Sequence, residues 1–145
     1  MGLLDKVLGK GEQRPAAPTL MEDIPKAAKW FEEAMASSGD VLDGTLESFQ
    51  ELDRFIDEQK RPGGLLDGKV GSKLFGMGAY VGQTLIAQLG GRWETDDRDP
   101  QGEVNIAVTL SGGTVWPVQR VMKRLSNGSE DGLYAYGAAL KDMAN

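Results

Sequence analysis

Apolar positions recur every three or four residues over most of this chain and change to alternation only between Glu103 and Leu110. Leu3, Leu4, Val7 and Leu8 share one face of a short amphipathic segment, and Gly11, Pro15 and Pro18 then give a linker composition. From Ile24, with Pro25 suited to a first turn, Ala27, Ala28, Phe31, Ala34 and Met35 predict a helix that Ser37-Ser38-Gly39 ends. Leu42, Leu46, Phe49, Leu52 and Ile56 predict a second helix over Asp40 to Gln59, stopped by Arg61-Pro62-Gly63-Gly64. Leu74, Met77, Val81, Leu85 and Leu89 predict a third, from Val70 to Leu89, capped by Gly90-Gly91. That helix carries Gly71, Gly76, Gly78 and Gly82, each worth ~1 kcal/mol less than Ala in a helix interior. Gly78 and Gly82 share a face, which predicts the close approach of a backbone or an aromatic ring.

Strands follow. Arg92 to Thr95 opens one, and Asp96 to Gly102 reads as a polar turn. Val104, Ile106, Val108 and Leu110 then alternate with Asn105, Ala107 and Thr109, Ser111-Gly112-Gly113 makes a hairpin turn, and Thr114 to Trp116 returns. Alternation aims Trp93 inward, with Arg92 and Glu94 outward, so its indole is expected to fill the space left by Gly78 or Gly82 and to be largely buried. The competing expectation is a ligand pocket with Trp93 and Tyr80 as stacking walls. Pro117 opens a helix bearing Val118, Val121, Met122 and Leu125. Ser129 is expected to cap a last one with Leu133, Tyr136, Gly137 and Leu140 on one face. The fold class is therefore α+β: N-terminal helices, a small antiparallel sheet of about three strands, then C-terminal helices. Residues 1–23 read as an N-terminal amphipathic segment and linker, and residues 24–145 as a single α+β domain.

Composition narrows the chemistry. The chain has no histidine and no cysteine, so histidine acid–base catalysis, imidazole and thiolate metal sites and thiol nucleophiles are excluded. Its net charge of −6 argues against nucleic acid as a general partner. No apolar run approaches the ~20 residues of a membrane span and no signal peptide is visible, so a cytoplasmic location is expected.

Charge is concentrated in one place. Between Asp40 and Glu58 stand seven acids (Asp40, Asp43, Glu47, Glu51, Asp53, Asp57 and Glu58) against the single base Arg54. Asp40, Asp43, Glu47, Glu51, Asp57 and Glu58 are the candidate partner-binding residues. Arg120, Lys123 and Arg124 lie beside Trp116 and, with Lys69, Lys73 and Arg92, are expected to make a positive side opposite that helix. Of these, Arg92, Arg120, Lys123 and Arg124 are candidates for an acidic partner or ligand.

Two motifs lack their context. Gly76-x-Gly78-x-x-x-Gly82 has no preceding strand to deliver a pyrophosphate to a helix N-terminus, so no dinucleotide cofactor is expected. Asp97-x-Asp99-x-Gln101-Gly102 begins like a calcium loop but has Val108 where the bidentate acid belongs, so no metal is expected there.

Gly78-Ala79-Tyr80-Val81-Gly82-Gln83, followed by Gly90-Gly91-Arg92-Trp93, resembles an uncharacterised bacterial domain family. In that family a Gly-x-Tyr-x-Gly-Glu helix leads to a Gly-Trp strand, then a hairpin, a proline and a helix with a Lys-Arg pair; Pro117, Lys123 and Arg124 match that tail. The resemblance spans roughly Leu42 to Leu140, and Gln83 departs from the family's Glu. It implies a bacterial origin and a fold, and no activity.

These features favour a non-enzymatic protein-binding domain, such as an immunity or inhibitor protein covering a basic toxin with its acidic helix face. One alternative is a membrane-surface adaptor using Leu3, Leu4, Val7 and Leu8, although three bases against two acids in residues 1–14 attract anionic lipid weakly. The other is a carboxylate-dependent enzyme, or one with a metal held by Asp96, Asp97, Asp99 and Glu103.

Overall fold

The computed structural model describes residues 17–68 and 70–144. The Leu3–Leu8 amphipathic run and Lys69 lie outside them. Helix α1 (Leu20–Ser37) starts four residues before the periodicity predicts, because Thr19 and Glu22 form a reciprocal capping box. Pro25 sits inside this helix rather than at its head. Helix α1 is followed by a 3₁₀ turn (Leu46–Ser48), α2 (Phe49–Gln59) and α3 (Gly71–Leu89). Strands β1 (Arg92–Glu94), β2 (Ala107–Leu110) and β3 (Gly113–Val115) come next. Helix α4 (Pro117–Asn127), a second 3₁₀ turn (Gly128–Asp131) and α5 (Leu133–Ala144) complete the described chain.

The architecture is α+β, with helices before and after an antiparallel sheet of order β1-β2-β3. Trp93 pairs with Val108, which pairs in turn with Val115. Helix α3 is central: Phe75 to Leu85 is buried except at Gln83, and α1 and α4 make its main packing partners. One apolar cluster, including Phe49, Leu52, Ile56, Met77, Tyr80 and Leu133, joins α2, α3 and α5. A second joins α1 to α3, α4 and the residue before β2 through Ile24, Ala28, Phe75, Ala79, Ile106 and Val118.

Two expected elements are shorter than their hydrophobic patterns. The second helix does not begin at Asp40, because Gly39 and Gly44 take positive φ values of 90° and 82°, which a right-handed helix cannot contain. Asp43 accepts hydrogen bonds from the backbone N–H and hydroxyl of Thr45, and Thr45 caps the 3₁₀ turn through the Ser48 N–H. The long strand does not begin at Glu103. The Gln101 carbonyl accepts from both Val104 and Asn105 N–H, which holds that stretch in a turn until β2 starts at Ala107.

The glycines of α3 serve contact, and they divide the work. A Cβ on Gly82 would lie 2.7 Å from Trp93 Cζ2, and one on Gly78 would lie 2.8 Å from Val118 Cα. Trp93 thus fills the space over Gly82 while α4 closes on Gly78. The indole is half-buried rather than largely buried, since β1 is a sheet edge, while Arg92 and Glu94 are exposed as alternation predicts.

Candidate functional site

The acidic segment divides into two faces once it is folded. Asp53 and Asp57 lie four apart on α2 and point toward α4, whereas Glu47, Glu51, Arg54 and Glu58 follow a three-and-four spacing along another stripe. Arg124, 2% exposed, donates from Nε to Asp53 Oδ1 at 2.9 Å and from Nη2 to Asp57 Oδ1 at 2.7 Å and to the Asp53 carbonyl at 3.2 Å. Burial alone would lower the Arg124 pKa. The hydrogen bonds it donates to Asp57 and Asp53 outweigh that and raise its pKa above the ordinary value, so the guanidinium stays charged. Arg124 therefore does not belong to a positive side opposite the acidic helix, because it docks on that helix. Asp57 is correspondingly half taken by a partner within the domain, although its side chain stays 60% exposed.

Asp53 was counted among the acids but not among the candidate site residues. It also accepts from the N–H groups of Leu133 and Tyr134, at 2.9 and 3.0 Å. The cap of α5 is therefore a carboxylate from α2 rather than Ser129, which lies within the second 3₁₀ turn. Nothing in the spacing of the chain marks a cap that arrives from 80 residues away.

The remaining acids face outward. Asp43, Glu47 and Glu58 are exposed, and Asp40 and Glu51 are half-buried around Arg54, which pairs with both. Five acids thus stand with one base, which pairs with two of them. The hydrogen bonds from Thr45 hold the Asp43 carboxyl below the usual range, so it stays ionised.

Asp43 also lines a cleft of ≈ 280 Å³ with Glu32, Tyr80, Gln83 and Thr84. The cleft lies where α1 and α3 meet the loop before α2. Its floor is pinned by Tyr80, whose hydroxyl accepts from Gly44 N–H at 3.0 Å and lies 2.5 Å from Ser48 Oγ. Ser48 already donates to the Thr45 carbonyl, so Tyr80 is the donor in that pair. Burial, reinforced by Glu33, pushes the Glu32 carboxyl above its ordinary pKa. Thr84 Oγ1 is buried with no partner among the described residues. Tyr80 is therefore a fixed pin rather than a stacking wall, and it stands apart from Trp93, which is on the second apolar cluster. Tyr80 and Gln83, residues of the glycine-rich motif, both border this cleft.

The other candidates are dispersed. Arg92 pairs with Glu94 on β1. Arg120 and Lys123 share a separate cleft beside Trp116, without Arg92 or Arg124. Asp96, Asp97 and Asp99 are used by the chain itself, accepting from the N–H groups of Arg98, Leu20 and Gln101. Among the described residues no three carboxylates are grouped as metal ligands, and no helix is long and apolar enough to cross a membrane. No family model, curated protein or solved structure matches the chain.

The site that remains is an anionic surface. It comprises the Glu32–Asp43 cleft, Asp40 and Glu51 around Arg54, and the exposed Glu47 and Glu58, on loop and helix held by Tyr80 and Asp53. Such a surface can receive ammonium or guanidinium groups.

Proposed function

We propose that this is a non-enzymatic protein-binding domain of a bacterial cytoplasm, which takes a basic protein partner on this surface in the manner of an immunity protein covering a toxin. The observation that carries the proposal is the partition of the acids. Asp53 and Asp57 are occupied by Arg124, and Asp40 and Glu51 by Arg54, whereas Asp43, Glu47 and Glu58 are exposed with no ion pair among the described residues. Uncompensated charge of one sign costs self-repulsion and offers fast encounter with a partner of the opposite sign. The resemblance to the uncharacterised bacterial family supplies the cellular setting.

Zero-length carboxylate-to-lysine cross-linking in a native extract tests the proposal, with the acids that join a partner mapped by mass spectrometry. Cross-links confined to Asp43, Glu47, Glu51 and Glu58 and lost at high salt are the expected result. Cross-links spread equally over Asp67, Glu103 and Glu130, or indifferent to salt, would overturn it.

A further inference from the structure

The second cleft has the opposite chemistry and lies on other elements. Trp116, Gln119, Arg120 and Lys123 come to one side of α4 by their three-and-four spacing, and Tyr136 of α5 closes the cleft. The Arg120 guanidinium lies 4.4 Å from the Tyr136 ring centroid. Its Nη2 donates to Asp131 Oδ1 at 3.2 Å, and its Nε is buried with no acceptor among the described residues. A guanidinium has five N–H donors in a fixed fork, so most of those on Arg120 are unused among the described residues. Lys123 is exposed three residues further on and has no carboxylate within ion-pair distance among the described residues. Trp116 is 45% exposed, an aromatic ring left open to solvent.

We infer that this cleft is a carboxylate-binding site, in which Arg120 and Lys123 hold the anion and Trp116 packs against the apolar group next to it. Its volume of ≈ 170 Å³ lies below the ~300–1,000 Å³ of pockets that enclose whole small molecules. It fits a single carboxylate with a short apolar neighbour, as at the C-terminus of a peptide or on an acidic side chain. Asp131 already balances part of the Arg120 charge, so the uncompensated cation is Lys123, and one monoanion neutralises the site. Arg120 is a pre-set fork, because stacking on Tyr136 and the bond to Asp131 fix its plane before a ligand arrives. The inference is independent of the acidic surface, and either can fail alone.

Three short peptides are titrated into the ¹⁵N-labelled full chain: one ending in phenylalanine with a free carboxylate, its C-terminal amide, and an amidated peptide carrying one internal glutamate. Shifts at the Trp116 indole N–H and Gln119 side-chain amide with the free carboxylate alone identify a peptide terminus as the ligand. The same shifts with the glutamate peptide identify an acidic side chain, and the neutral amide is expected to leave both unmoved. Lys123→Gln, at an exposed position, is expected to weaken binding about tenfold, the worth of one charge-assisted hydrogen bond, and Lys123→Arg to restore it. Absence of these shifts with either carboxylate at millimolar concentration overturns the inference, as does equal binding by Lys123→Gln.

Discussion

Asp53 on α2 and Arg124 on α4, 71 positions apart in the chain, meet at 2.9 Å, and the same carboxylate caps α5. One side chain therefore ties three helices. Removing it takes from a buried guanidinium one of its two carboxylate partners and leaves the first turn of α5 with unpaired N–H groups. Asp53→Ala is expected to destabilise by about 3 kcal/mol. Asp57→Asn, whose carboxylate is largely in water, is expected to cost less than about 1 kcal/mol. Urea unfolding of the two variants checks the contrast, and similar losses would show that Asp53 has no special place.

Gly78 and Gly82 are expected to tolerate no side chain. Gly82→Ala would drive a methyl group into the Trp93 ring and Gly78→Ala would drive one into Val118, each costing about 1–3 kcal/mol. The two differ in rescue. Trp93→Leu is expected to recover part of the Gly82→Ala loss and none of the Gly78→Ala loss, measured as melting temperatures of the single and double variants.

Tyr80→Phe removes a hydroxyl that joins Gly44 N–H to Ser48 Oγ beneath the acidic cleft. A loss of about 1–2 kcal/mol is expected, because the apolar ring stays packed while a buried donor and acceptor lose their partner. Hydrogen exchange at Gly44 should accelerate, and unchanged protection there would contradict the assigned bond.

Glu32 and Asp43 border the same cleft and are expected to respond to pH in opposite senses. The folded-state pKa of Glu32 is raised by burial, so its contribution to stability is greatest below the unfolded pKa of ~4.3 and declines as pH rises through the folded value. Glu32→Gln should therefore raise the melting temperature at neutral pH and leave it unchanged in acid. The pKa of Asp43 is lowered by Thr45, so its contribution is present above the ordinary value of ~3.9 and disappears as pH falls through the folded value. Asp43→Ala should lower the melting temperature at neutral pH and converge with the parent in strong acid.

The periodicities of Leu74 to Leu89 and of Val118 to Leu125 carried the fold class, and the glycine load of α3 pointed to close contacts that the structure contains. The breaks at Gly44 and near Gln101 were harder to see, because apolar spacing continues through both while local hydrogen bonds bend the backbone away. Of the candidate site, the outward acids were legible as a charge run. Their division was not, since which acids turn inward depends on Arg124, and a basic residue on a predicted helix carries no mark of the element it will meet. Glu32 and Thr84 were missed for a similar reason. Each is unremarkable on its own helix, and only the crossing of α1 and α3 at the loop before α2 brings them to the cleft.

Steering and capture of a basic protein is the role proposed for the outward acids. It is tested most directly by the association rate constant of the cross-linked partner with the parent chain and with the Asp43→Asn, Glu47→Gln, Glu51→Gln variant, across a range of ionic strength. The variant is expected to associate about tenfold or more slowly at low salt, with the two rates converging as salt is added. Equal rates and equal salt dependence for the two proteins would contradict it.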